Sequence, residues 1–236
     1  MYVTEGDVWE DDAPHRQIAV LCDGMGGMTD GARASETAVT TMAYAFDRIR
    51  YEDAPNIQSF FKSSMISLDR MIHEFPREDG KGSGTTMVSV VTEGNSFYIA
   101  AVGDSRIYYH HWGKLKRLTR DHNHDLRLRS WLAGGMITEE QYKKEKKKKA
   151  LISFLGVGDI SLMDISKKSV PVSSGDILML CSDGVTGSLS EEKISEVLLR
   201  GGNLEDMAEE IVRSAVGRNP VSQDNTSIVL LRYTEA

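Results

Sequence analysis

Phe97-Tyr98-Ile99-Ala100-Ala101-Val102 is apolar or aromatic at every position. An antiparallel strand with one face in water alternates polar and apolar residues, so a run without alternation is buried on both faces. The neighbouring text fixes the direction of pairing. Thr85–Thr92 and Ser96–Val102 are rich in β-branched and aromatic residues and are separated by Glu93-Gly94-Asn95, a short hairpin signal. Ile107–His111 and Lys114–Leu118 make a second such pair around Trp112-Gly113. Strands this close in sequence pair antiparallel, because a parallel crossover needs about a dozen residues or more. An antiparallel sheet buried on both faces lies between a second sheet and helices.

Helices are available on both sides of the strands. Ala34, Ala38, Met42, Ala45, Phe46 and Ile49 form one helical stripe. After the break at Pro55, Asn56–Phe75 repeats the pattern with Ile57, Phe60, Phe61, Leu68, Met71, Ile72 and Phe75. Gly80-Lys81-Gly82-Ser83-Gly84 then hands over to the strands. The C-terminal part adds a strand at Asp176–Cys181, helices at Glu191–Arg200 and Leu204–Val216, and a last strand in Thr226–Leu231. Gly201-Gly202 stops the first of these helices, and Asn203 is placed to cap the second. Two stacked sheets with helices outside satisfy every segment, an α+β class. Neither a linker nor an internal repeat divides residues 1–236, so one domain is expected. A polar excursion over about 120–155 stands apart as a mobile flap. Its Lys143-Lys144-Glu145-Lys146-Lys147-Lys148-Lys149 run is either a solvated face or an attractor for a negatively charged substrate.

Composition narrows the function. The 28 basic and 35 acidic residues give a net charge of −7, which argues against a nucleic-acid binder. No apolar run approaches the ~18 residues of a membrane span. Met1-Tyr2-Val3-Thr4-Glu5-Gly6-Asp7 has no basic-plus-apolar signal, so a cytoplasmic location is expected. Cys22 and Cys181 lie in apolar runs and are expected as small buried residues without a disulfide.

The apolar runs Ile18-Ala19-Val20-Leu21-Cys22 and Ile177-Leu178-Met179-Leu180-Cys181 both lead into acids. The first continues Asp23-Gly24-Met25-Gly26-Gly27 and the second Ser182-Asp183-Gly184, while Asp224-Asn225 precedes the last strand. A carboxylate where a buried strand emerges is costly to desolvate unless it finds a cation or hydrogen-bond partners. Hard cations such as Mg²⁺ and Mn²⁺ choose carboxylate, carbonyl and water oxygens. Gly24 lets the backbone turn sharply and could bring its own carbonyl to a metal. Two ions about 4 Å apart acidify a water and hold a phosphoryl group. No nucleophilic serine or cysteine is then needed, and the chain has no Gly-x-Ser-x-Gly elbow. Asp-Gly is common turn chemistry, so any single pair reads as a turn sooner than as a ligand. Neither glycine cluster matches a Gly-x-Gly-x-x-Gly or Gly-Lys-Ser/Thr nucleotide loop. The six histidines show no His-Glu-x-x-His spacing and are expected in surface or packing roles.

The combination resembles one family. Asp23-Gly24-Met25-Gly26-Gly27, Gly84-Thr85-Thr86, Val102-Gly103-Asp104-Ser105-Arg106, Leu118-Thr119-Arg120-Asp121-His122, Ser182-Asp183-Gly184 and Asp224-Asn225 stand in the order and spacing of the metal-dependent serine/threonine protein phosphatases of type 2C, in their bacterial form. Gly135-Met136-Ile137-Thr138-Glu139-Glu140 followed by Leu155-Gly156 is also similar to that family. The resemblance spans about residues 15–233. It implies a four-layer αββα sandwich of two antiparallel sheets flanked by helix pairs. It implies Asp23 as the ligand bridging two Mn²⁺ or Mg²⁺ ions, the Gly24 carbonyl on one of them, and Asp183 and Asp224 as the other acids. Asp104 matches a residue that helps Asp183 hold a weaker third metal, or else is a hairpin or strand-end acid paired with Arg106; Arg106 is expected to be structural. The implied partners are phosphorylated proteins, targets of a serine/threonine kinase, met by a monomeric signalling hydrolase. Where some eukaryotic members have a histidine as general acid, this chain has Met25, so the proton for the leaving oxygen must come from a metal-bound water or another group.

One departure qualifies the picture. Members of the family usually begin with a strand carrying Arg-x-x-Asn-Glu/Gln-Asp, whose arginine holds the substrate phosphate and whose acid ligates the second metal. Tyr2-Val3 resembles the residues that follow that text, and no arginine stands near Glu5 or Asp7. The first strand is therefore expected to be lacking, although Glu5 or Asp7 could substitute for its acid. The alternative function is a weak or inactive module that binds phosphoproteins or regulatory partners without hydrolysing them.

Overall fold

The computed structural model describes residues 16–25, 31–76, 82–217 and 224–235, with the backbone of Tyr2 and Val3. Glu5, Asp7, Gly26, Gly27, Gly80 and Lys81 lie outside the described residues. In chain order the elements are β1 (Tyr2–Val3), β2 (Arg16–Leu21), α1 (Gly31–Ile49), α2 (Ile57–His73), β3 (Met87–Glu93) and β4 (Ser96–Val102). There follow β5 (Arg106–His111), β6 (Lys114–Arg117), α3 (His124–Ala133), α4 (Glu139–Lys144), β7 (Asp164–Ile165) and β8 (Val170–Pro171). The chain closes with β9 (Ile177–Cys181), α5 (Asp183–Thr186), α6 (Glu191–Arg200), α7 (Leu204–Val216) and β10 (Ile228–Arg232).

One antiparallel sheet runs β1-β2-β3-β4-β7, with β8 also on β4; the other runs β10-β9-β5-β6. The alternation of side chains along β4 explains why it shows no polar face. Phe97, Ile99 and Ala101 point at the second sheet and meet Ile107, Tyr109, Leu178, Leu180 and Val229. Ala100 and Val102 point the other way, against Phe46, Phe61, Met65 and Leu68 of α1 and α2. Phe97 and Tyr109 join the sheets edge-on with centroids 5.3 Å apart, a geometry that adds about 0.5–1.5 kcal/mol to simple burial. On the far side of the second sheet, Tyr108, Ile177 and Met179 pack against Ile194, Val197 and Leu198 of α6 and Met207 and Ile211 of α7. The result is the four-layer α+β sandwich expected from the sequence.

Element limits differ in informative places. Thr85 is not part of β3; it makes isolated pairings with Gly24 and Leu155 instead. Asn56 caps α2, its side chain accepting from the Ser59 N–H at 2.9 Å. Ahead of β2, β1 pairs antiparallel with it, Tyr2 opposite Val20 and Val3 opposite Ala19. That strand has neither an arginine nor an acid, so it does not supply the missing family text. Residues 120–155 are not a bare loop. Asn123 caps α3, and Thr138 and Gln141 form a reciprocal capping box on α4. Among the described residues no helix is long and apolar enough to cross a membrane.

Candidate metal centre

Asp23 leaves β2 as extended chain and is fastened sideways. Its N–H donates to Thr86 Oγ1 at 3.1 Å, and its carbonyl accepts from the Thr86 N–H at 2.9 Å. The Thr86 hydroxyl is also 2.7 Å from Ser105 Oγ. One buried side chain thus ties the Asp23 corner to the turn that carries Asp104. Gly24 passes so close to the start of α1 that a Cβ there would lie 2.1 Å from the Gly31 carbonyl oxygen. Glycine is required here by the approach of two backbones.

Asp183 opens α5 directly after β9. The Ser182 hydroxyl accepts from the Ser227 N–H at 3.0 Å and donates to the Asn225 carbonyl at 3.2 Å. This clasp holds the segment of Asp224 beside Asp183. A Cβ on Gly184 would stand 2.3 Å from the Asn225 carbonyl oxygen, so the second glycine serves the same closeness.

The four expected acids feel one another. Asp23 and Asp183 share a hydrogen bond, and burial followed by the charges of Asp183, Asp224 and Asp104 pushes the Asp23 carboxyl up to about 7. Asp104 rises to about 6, through burial first and then the charges of Asp183 and Asp121. Asp183 is raised by burial and by Asp224, and Lys149 pulls it back down. Asp104 is left to this cluster because Arg106 is occupied elsewhere. Its guanidinium takes both oxygens of Asp121, at 3.0 and 2.8 Å, and the Tyr108 hydroxyl at 3.2 Å.

Carboxylates clustered in this way repel until a proton or a cation comes between them. Their donors are oxygen only and the cluster is strongly negative, which suits Mg²⁺ or Mn²⁺. Among the described residues no three His, Cys, Asp or Glu side chains already form a cage for one ion. The acids are neighbours rather than a closed shell, and hard-cation sites also recruit carbonyl and water oxygens. Cys22 and Cys181 are free thiols, each pushed up to about 12 chiefly by burial, and have no part in this chemistry.

The family model described as protein phosphatase 2C matches residues 6–215. The chain belongs to the protein phosphatase 2C family. Protein phosphatase PhpP of Streptococcus pneumoniae, strain D39, is 29% identical over 221 residues, covering 93% of this chain and 87% of PhpP. The solved serine/threonine phosphatase of S. agalactiae superposes with a TM-score of 0.80 at 28% identity, covering 99% of this chain and 92% of that one. The catalytic domain of PstP, solved with two manganese ions, shares the fold with a TM-score of 0.67 at 23% identity, over 99% of this chain and 96% of that domain.

Within this protein phosphatase 2C frame the structure adds residues whose roles the sequence did not reveal. Thr86 and Ser182 hold the two acid corners, yet each was visible only as part of a motif. Lys149 lies on the flap and reaches the same cleft. A cavity of about 470 Å³ has Asp104 and Asp183 on one wall and Lys148, Lys149, Arg129 and Tyr142 on the other.

Proposed function

We propose that the chain removes phosphate from phosphoserine and phosphothreonine of proteins, holding two divalent cations, Mn²⁺ or Mg²⁺, through Asp23, the Gly24 carbonyl, Asp183 and Asp224. When bound, two such ions acidify a water between them and clamp the phosphoryl oxygens. Asp104 joins Asp183 in serving a weaker third position. The observation that carries this reading is the meeting of four carboxylates from four separate parts of a protein phosphatase 2C chain.

The residues divide the work. Asp23 interacts with all three other acids and is the natural bridging position. Thr86 pins the Asp23 corner to the Asp104 turn, while Ser182 tethers the exposed coil of Asp224 beside Asp183. Met25 offers no exchangeable proton, so it is not the acid that protonates the leaving oxygen. The whole of 1–236 acts as one catalytic domain with 120–155 as its flap. It works as a monomeric cytoplasmic signalling enzyme on targets of a serine/threonine kinase.

The test is release of phosphate from a phosphothreonine peptide with and without Mn²⁺. Cation-dependent release is expected, falling at least ~10²-fold in Asp183→Asn, a loss of about 2.7 kcal/mol in transition-state stabilisation. Equal rates in wild type and variant overturn it. Phosphopeptide binding without turnover in the wild type also overturns it, in favour of the binding module.

A further inference from the structure

The cavity between the acids and the flap is lined by basic side chains that the phosphatase reading leaves without a task. Three of its four cations are engaged within the protein. Arg106 is held by Asp121 and Tyr108. Arg129 donates to Asp125 at 2.6 Å. Lys148 lies over the Tyr142 ring, 3.7 Å from its centroid, and Tyr142 in turn donates to Asp125 at 2.7 Å. Lys149 differs. Its charge acts on Asp183 from across the cavity, but among the described residues it has no hydrogen-bond or ion-pair partner.

The backbone around Lys149 is fixed beside the cleft, so the side chain springs from an anchored point. The Asp125 N–H donates to the Lys148 carbonyl at 2.9 Å, and the His124 N–H to the Ala150 carbonyl at 2.8 Å. Leu151 bridges to Asn123 immediately beyond. Both flanks of Lys149 are therefore stitched to the start of α3. Earlier in the lysine run, Lys143 and Lys144 pair with Glu139 and Glu140 along the exposed face of α4. Of the run, Lys148 and Lys149 line the cavity that holds Asp104 and Asp183.

Resting on the phosphatase reading, we propose that Lys149 is a specificity-determining residue that binds an anionic group beside the phosphorylated residue, so that the preferred substrates carry an acidic side chain or a second phosphate next to the phosphothreonine or phosphoserine. A cavity of about 470 Å³ falls within the ~300–1,000 Å³ typical of ligand pockets, enough for residues flanking the phosphate as well as the phosphate itself. Lys149 is a positioning residue and not a catalytic one, because its action is on the flanking group. A lysine ammonium is a point charge with three donors and fits either a carboxylate or a phosphate.

The experiment uses the full chain and fluorescein-labelled peptides carrying a non-hydrolysable phosphothreonine analogue, flanked by glutamine, by glutamate or by phosphoserine. Binding is read by anisotropy, so the result does not depend on turnover. Failure of hydrolysis would count against the phosphatase reading alone, whereas failure of discrimination counts against Lys149. The wild type is expected to bind the glutamate peptide about fivefold more tightly than the glutamine peptide, about 1 kcal/mol. The phosphoserine peptide is expected to gain more, and the relative size of the two gains tells which anion the site favours. Lys149→Gln brings the ratio to one, Lys149→Glu inverts it, and Lys149→Arg restores it. Lys143→Gln/Lys144→Gln leaves the ratio as in the wild type. With hydrolysable peptides the discrimination falls on KM and not on kcat. An unchanged ratio in Lys149→Gln, or no preference in the wild type, overturns the proposal.

Discussion

Asp23-Gly24 and Asp183-Gly184 read alike in the sequence, and both follow a five-residue apolar run ending in cysteine. The folded chain uses them differently. The first corner stays extended and is pinned from outside by Thr86, a residue far along the chain on the lead-in to β3. The second turns at once into α5 and is clasped by the serine that precedes it. The glycines differ in the same way. Gly24 lies against the first residue of α1, a helix whose Ala34, Ala38, Met42 and Phe46 are locked in the core. Gly184 lies against Asn225, in an exposed coil that can shift. Identical local text is thus supported by a rigid element in one place and a yielding one in the other.

The sharpest test of that contrast is a methyl group on each glycine. Both new Cβ atoms would fall on a carbonyl oxygen, at 2.1 Å in Gly24→Ala and 2.3 Å in Gly184→Ala. Overpacking of this kind costs about 1–3 kcal/mol. Gly24→Ala is expected at or above the top of that range in urea unfolding, because α1 cannot retreat. Gly184→Ala is expected near the bottom, its cost appearing instead as weaker Mn²⁺ binding when the displaced coil carries Asp224 away. Equal stability losses with unchanged Mn²⁺ affinity in both would break the distinction between rigid and yielding supports.

A smaller effect separates the two hydroxyls. Thr86→Val keeps the shape of a residue that is 3% exposed but leaves the Asp23 N–H and Ser105 without their partner. Stranding a buried donor costs about 1–3 kcal/mol. Ser182→Ala leaves the Ser227 N–H, which belongs to an exposed residue where water can replace the hydroxyl. Its cost is expected at about 0.5–1.5 kcal/mol, the net worth of an ordinary hydrogen bond. Thr86→Val should also weaken Mn²⁺ binding more, since it loosens both Asp23 and the Asp104 turn. Calorimetry of Mn²⁺ binding to both variants checks the order.

These contrasts show what the sequence could reveal. Phe97–Val102 disclosed the layers because burial on both faces leaves a mark at every position of one strand. The limits of α6 and α7 were equally plain, since apolar periodicity and the Gly201-Gly202 stop with the Asn203 cap are local signals. The flap helices were not read. In α3 only Leu128 is buried, so no stripe betrays it, although Thr138-x-x-Gln141 was a legible capping box for α4. The acids announced themselves by following buried strands, but an Asp-Gly turn looks the same whether or not another acid lies beside it. What distinguishes them is proximity across the fold, as with Asp23 to Asp183. The hydroxyl supports were hidden for the same reason: the group bonded to Thr86 precedes it by 63 residues, and that bonded to Ser182 follows it by 45.

The smallest expected effect concerns protons, and it tests whether the two corners really face each other. The Asp23 carboxyl is raised from 3.8 to about 7, first by burial and then by Asp183 and its neighbours, and Asp104 is raised to about 6. A carboxyl whose folded-state pKa exceeds its unfolded value favours the fold while protonated. That contribution is complete below the unfolded pKa and is lost as pH rises through the folded one. The metal-stripped chain should therefore lose melting temperature as pH rises from about 4 through about 7. Asp164, whose carboxyl sits below the usual range, has already finished titrating, whereas His110, held below its ordinary value by burial, gains stability as pH rises through the same window and works against the trend, so the comparison with Asp23→Asn decides. A cation competes with the same protons, so the rise in melting temperature on adding Mn²⁺ should be small at pH 5 and larger at pH 8. Asp23→Asn removes the most strongly raised carboxyl and should flatten the metal-stripped profile more than Asp224→Asn does. A stripped-protein profile that Asp23→Asn leaves unchanged would mean that the Asp23 carboxyl does not carry the raised titration, and the paired site built on the two corners would fall.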